Sequence, residues 1–153
     1  MTKQILGFYS HNYKIFDTIE EVRQFNWIKQ NFKGLIINPN VDLIEKNPFI
    51  LNQYWQTIGM INFLVVSAYR KKIDRATYYE VKQCLFNRIN VYEIYKSGKS
   101  YATRKVVGLK VVNEKNLSAY AVLVNTKMKA KAQIKSTPKI VMDNYVRKNL
   151  FNN

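Results

Sequence analysis

Apolar residues in this chain gather into short continuous runs separated by amphipathic stretches, a rhythm that predicts strands and helices in alternation. Gln4 to Tyr9 (QILGFY) reads as a first buried strand that runs into the polar loop Ser10, His11 and Asn12. A helical segment then begins at Asp17. Its early acids Glu20 and Glu21 complement the helix dipole, and Ile19, Val22, Trp27 and Ile28 give it an apolar side before Gly34 ends it. Leu35 to Ile37 predicts a second strand, stopped at once by the turn residues Asn38, Pro39 and Asn40. Pro48 opens a helix that closes near Gly59. Ile61 to Val66 (INFLVV) is apolar at every position, as a strand covered on both faces should be.

The basic loop SAYRKKIDR follows, then a helix over Ala76 to Arg88 with Asp74 available as its cap, and a fourth strand over Ile89 to Tyr95. This order predicts an α/β fold with a doubly wound, mainly parallel sheet over residues 1–95. Beyond it the texture changes. Lys96 to Lys99 form a hairpin turn, and YATRKVVGLKVV and LSAYAVLVN predict a basic antiparallel β extension over residues 96–135. Thr137 and Pro138 start a final helix over 136–153. The 153 residues make one domain, since two independent cores would not fit.

Charge changes the picture more than composition does. Lys and Arg number 25 against 10 acids, a formal +15, far more than solubility asks for. Thirteen of those bases, but only the acids Glu114 and Asp143, lie from Ile94 onward. Lys127, Lys129 and Lys131 alternate, so on an extended arm they would share one face. A phosphate backbone is the partner that such a field suits, DNA ahead of RNA. A single cysteine excludes an internal disulfide, and one histidine excludes a Cys/His metal cluster. No run is long enough to span a membrane and MTKQILGFYSHNYK lacks a signal-peptide layout, so a cytoplasmic protein without a membrane partner is expected. Abundant Lys, Asn, Ile and Tyr point to an AT-rich genome, viruses among the sources.

In a doubly wound sheet ligands bind beyond the carboxyl ends of the strands, here Phe8 to Asn12, Asn38 to Asn40 and Ser67 to Arg75. The last stretch holds Arg70, Lys71, Lys72 and Arg75 beside Asp74, and the helix after it brings Glu80 to the same end, half shielded, where a carboxylate serves as nucleophile or base. His11 and Cys84 read as incidental and core-filling, respectively. Tyr9, Tyr13, Tyr69, Tyr78 and Tyr79 are candidates for stacking on unpaired bases.

The succession GFYS, NPN, INFLVVSAY, IDRATYYEV and VYEI resembles that of nucleoside 2-deoxyribosyltransferase-like proteins over residues 4–95. The resemblance implies a flavodoxin-like fold with Glu80 as the nucleophile at the sugar, and places Tyr9, Asn38 and Asp74 near the substrate. Glu80-Val81-Lys82 with Asp74 upstream also resembles the Glu-x-Lys centre of restriction-type nucleases, which would need residues 76–82 to be extended and a divalent metal such as Mg²⁺. The reading that unites charge and carboxylates is a nucleic-acid-binding hydrolase, a nuclease of low sequence specificity with Glu80 and Asp74 as catalytic groups. Arg70, Lys71, Lys72, Arg75 and the arm lysines would then hold the substrate. The alternatives are an N-glycosidase or deoxyribosyltransferase-like enzyme of nucleosides or nucleotides, and a nucleic-acid-binding protein without chemistry.

Overall fold

The computed structural model describes residues 4–42, 58–113 and 115–126. Six strands form one sheet in the order β2-β1-β3-β4-β5-β6. They are β1 (Leu6–His11), β2 (Leu35–Ile37), β3 (Phe63–Ser67), β4 (Asn90–Ser97), β5 (Ser100–Val111) and β6 (Ala121–Asn125). Among the described residues, the helices with both ends seen are α1 (Ile19–Asn31), the single turn α2 (Pro39–Asp42) and α3 (Arg75–Phe86), beside a 3₁₀ turn over Tyr13–Ile15.

The expected doubly wound, mainly parallel sheet is not what forms. β1 to β4 pair in parallel, but β4, β5 and β6 pair antiparallel, and few helices accompany them. The sheet is mixed, and its second half is β-rich. The described part of the basic segment after β4 pairs antiparallel, as expected, and continues the same sheet. Gly98 takes a left-handed φ of 60° in the two-residue turn between Ser97 and Ser100, which sends β5 back along β4 at full length. Val106 and Leu109 of β5 and Leu123 of β6 then enter the same core as Phe8, Leu64 and Val66. Burying these side chains on the existing sheet removes more apolar surface from water than an isolated hairpin can. The expected final helix and the arm carrying Lys127, Lys129 and Lys131 lie outside the described residues, as does most of the helix expected after Pro48.

Period-two alternation divides the central strands between two cores. Phe8, Leu64 and Val66 face α3, packing with Val81 and Cys84. Tyr9, Phe63 and Val65 face α1, packing with Ile28 and a rim of Phe25, Trp27, Phe32 and Tyr101. The strands come so close to their neighbours that Gly7 has no room for a Cβ, which would collide with the Phe63 ring. Gly34, at φ 106°, turns α1 into β2 against the Ile5 carbonyl.

Both long helices begin on side-chain caps that the residue types predict. The Thr18 hydroxyl accepts the Glu21 N–H at 3.2 Å, and an Asp74 carboxylate oxygen accepts the Thr77 N–H at 2.8 Å. Asp17 does not start the helix as expected. It sits one residue outside at φ 62°, where its N–H donates to Glu21 Oε1 at 2.7 Å. Among the described residues no helix is long and apolar enough to cross a membrane.

Candidate functional site

The carboxyl ends of β1, β2 and β3 are unusually polar for a buried place. Ser10, His11, Asn12, Asn38, Ser67, Asp74, Thr77 and Glu80 are all buried there. Because neighbouring residues on β1 point to opposite faces, they fall into two groups.

On the α3 face, Ser10 Oγ meets Glu80 Oε1 at 2.7 Å. Glu80 lies one turn before Cys84 on the inner side of α3 and is only 5% exposed. Burial pushes its carboxyl up to about 8, against the Ser10 hydrogen bond, which lowers it. Burial thus favours the protonated acid of Glu80 at neutral pH. Burial, reinforced by Glu80 when ionised, also raises the Cys84 thiol, so this cysteine is unreactive packing.

Asp74 has a different occupation. One oxygen takes the Thr77 N–H and the other takes the Tyr13 N–H at 2.9 Å, so it caps α3 and pins the β1–α1 connection at once. Burial raises its carboxyl while these hydrogen bonds hold it down. The segment bearing Glu80-Val81-Lys82 is helical, not extended, so the strand-borne Glu-x-Lys arrangement does not form. Among the described residues no group of three His, Cys, Asp or Glu side chains is placed to hold a metal ion.

On the α1 face, a chain of polar side chains links three elements. His11 Nε2 lies 3.2 Å from Asn38 Oδ1, and Asn38 Nδ2 donates to Glu21 Oε2 at 3.0 Å. Asn40 Nδ2 adds a bond of 2.8 Å to Glu21 Oε1. The amide oxygen of Asn38 faces His11, so Nε2 carries the proton and Nδ1 is bare. Burial lowers the His11 pKa against the pull of Glu21, leaving the ring neutral. Nδ1 of His11 and Oγ of Ser67, neighbours across the β1–β3 register, have no hydrogen-bond partner among the described residues. Tyr9 donates to Gln24 Oε1 at 2.6 Å from beneath α1, where burial raises its hydroxyl. Tyr9 and Asn38 thus help to pack α1 and β2 onto β1.

Open space lies just outside these groups. A cleft of about 300 Å³ is lined by Lys14, Tyr69, Arg70, Lys72, Ser118 and Ala119. A second, of about 280 Å³, shares Lys14, Tyr69 and Arg70 and continues along Ile15, Thr18, Glu20, Gln24 and Ala68. The loop that carries Tyr69 and Arg70 is a tight hairpin. Tyr69 N–H donates to the Lys72 carbonyl at 2.8 Å and Lys72 N–H returns to the Tyr69 carbonyl at 3.0 Å. Its two central residues, Arg70 and Lys71, have φ of 50° and 69°, a conformation that Asn-Gly would adopt more cheaply. The Arg70 guanidinium lies 5.2 Å from the Tyr69 ring centroid. Lys14, Arg70 and Lys72 are exposed and form no ion pair among the described residues.

Of the expected basic residues, the structure brings Arg70 and Lys72 to this cleft. Lys71 sits exposed at the hairpin tip, and Arg75 turns its guanidinium onto the Tyr120 ring at 5.0 Å. Lys14 and Ser118 were not singled out from sequence. Lys14 follows Asn12, whose side chain accepts its N–H at 3.0 Å and donates to the Ser118 carbonyl at 2.8 Å, so one asparagine gathers both walls of the cleft. An asparagine at a strand end was the available signal. Comparison with protein-family models, with curated proteins and with solved structures finds no match.

Proposed function

We propose that this chain binds nucleic acid, with the cleft at the carboxyl ends of β1 and β3 as a phosphate-contacting site. The observation that carries the reading is the convergence of Lys14, Arg70 and Lys72, from two separate loops, around one open cleft, with no ion pair to them among the described residues. Three cations lining one cleft suit an anion. The formal +15 of the whole chain supplies the longer-range attraction for a polyanion. Replacing Lys14 and Lys72 by Glu tests it. Retarded mobility of DNA or RNA by the wild-type protein should be lost in the double variant, while equal binding by both proteins would remove the cleft from the account.

A second reading adds chemistry to binding. Glu80, raised to about 8 at the strand ends, holds a proton at neutral pH and so suits a general acid that protonates a leaving group. Hydrolysis of the bound strand, or of its glycosidic bond, would then be lost in Glu80→Gln with binding retained. Cleavage or base release that persists in the variant would exclude Glu80 from any such role.

A further inference from the structure

The two clefts meet at Tyr69, and they differ in chemistry. The first is lined by Lys14, Arg70 and Lys72 with the Ser118 segment. The second adds Ile15 and Ala68 as apolar walls and the polar pair Glu20 and Gln24. Gln24 Nε2 donates to Glu20 Oε1 at 3.3 Å, which holds that carboxylate in place. A carboxylate there disfavours a phosphate, whereas a flat heterocycle with N–H donors meets apolar walls and an acceptor. Tyr69, 37% exposed between the clefts, offers a ring with Arg70 beside it. Two adjoining spaces of about 300 and 280 Å³ are each of the size that one phosphate with its sugar, or one base, requires.

We infer that the site takes an unpaired nucleotide of a single strand, its phosphate among Lys14, Arg70 and Lys72 and its base across Tyr69 in the cleft bordered by Glu20 and Gln24. The inference rests on the nucleic-acid reading above and narrows it. A base within a duplex is stacked on both faces and cannot enter the second cleft, so single strands are favoured over duplexes at equal charge. The strained positive-φ pair Arg70 and Lys71 fits the same role, because it holds the Tyr69 ring and the Arg70 charge at the junction of the two clefts.

The test is fluorescence anisotropy of the full chain with three probes: labelled oligo(dT), the same strand annealed to oligo(dA), and linear polyphosphate as a polyanion without bases. Wild type should prefer the single strand to the duplex. Tyr69→Ala should weaken the single strand by roughly tenfold, the worth of one stacked base, with polyphosphate unaffected, and Tyr69→Phe should restore it. Equal binding of all three probes, unchanged by Tyr69→Ala, would overturn the nucleotide site while leaving polyanion binding intact. Binding of none would overturn both readings together. Since Tyr69 is a surface residue in a turn, an unaltered melting curve of each variant shows that the effect is not one of folding.

Discussion

Glu80→Gln changes one atom type and removes one titration, and its effect on stability follows from burial. The carboxyl stands near 8 in the folded protein against an ordinary 4.5. Below pH 4.5 folded and unfolded chains both hold the proton, and the acid costs nothing. Between 4.5 and 8 the unfolded chain ionises while the folded chain does not, so wild-type stability falls as pH rises, by at most about 1.4 kcal/mol per pH unit. Above 8 both forms are ionised and the loss stops growing. At pH 7 the accumulated cost is at most about 3 kcal/mol, and glutamine, which never ionises and keeps an oxygen for Ser10, escapes it. Urea denaturation of both proteins from pH 4 to 8.5 should show curves that coincide at the acid end and separate steadily in favour of the variant. A gap that does not vary with pH, or one favouring wild type at neutral pH, would show that Glu80 is ionised in the fold and refute the general-acid reading with it. A gain on substitution would also mean that the carboxyl is carried at a cost to stability, as functional groups often are.

Other substitutions probe the surroundings. Asn38→Ala leaves Glu21 and His11 each short of a partner in a buried place, and should lower unfolding free energy by roughly 2–4 kcal/mol in the same urea assay. Lys71→Gly relieves a positive φ and should raise stability by about 0.5–1 kcal/mol, read as a higher melting temperature. Arg104→Ala strips the cation 2.9 Å from Glu93, a carboxylate that is mostly buried, and should cost about 1 kcal/mol, diminished by salt.

Legibility in the sequence followed the range of the interactions. β3 could be read because its short, β-branched apolar run suits a strand covered on both faces, and FLVVS is buried at every position. The caps Thr18 and Asp74 act within three residues, so their role in starting helices is a local property. The antiparallel direction of β5 was legible in its hairpin turn, which is local. That Val106 and Leu109 join one core cluster with Phe8 and Tyr79 is not local, since an independent hairpin would suit the same residues. The sites divide in the same way. Burial of Glu80 follows from its position on the inner stripe of α3, but its partner Ser10 comes from a strand early in the chain. Tyr9 and Asn38 stood at the expected strand ends, and Gln24 and Glu21 of α1 closed over them. Lys14 and Ser118 meet only because Asn12 bridges their segments, which no spacing reveals.

Binding at the cleft is tested most directly by the salt dependence of DNA affinity, measured for wild type and for the triple variant Lys14→Ala, Arg70→Ala, Lys72→Ala. Each neutralised phosphate contributes roughly 0.7 to 0.9 to the slope of log K against log salt, so removing the three cations that surround one phosphate should flatten it by about that amount and weaken binding at every salt concentration. Identical slopes and affinities for the two proteins would contradict the assignment of the cleft.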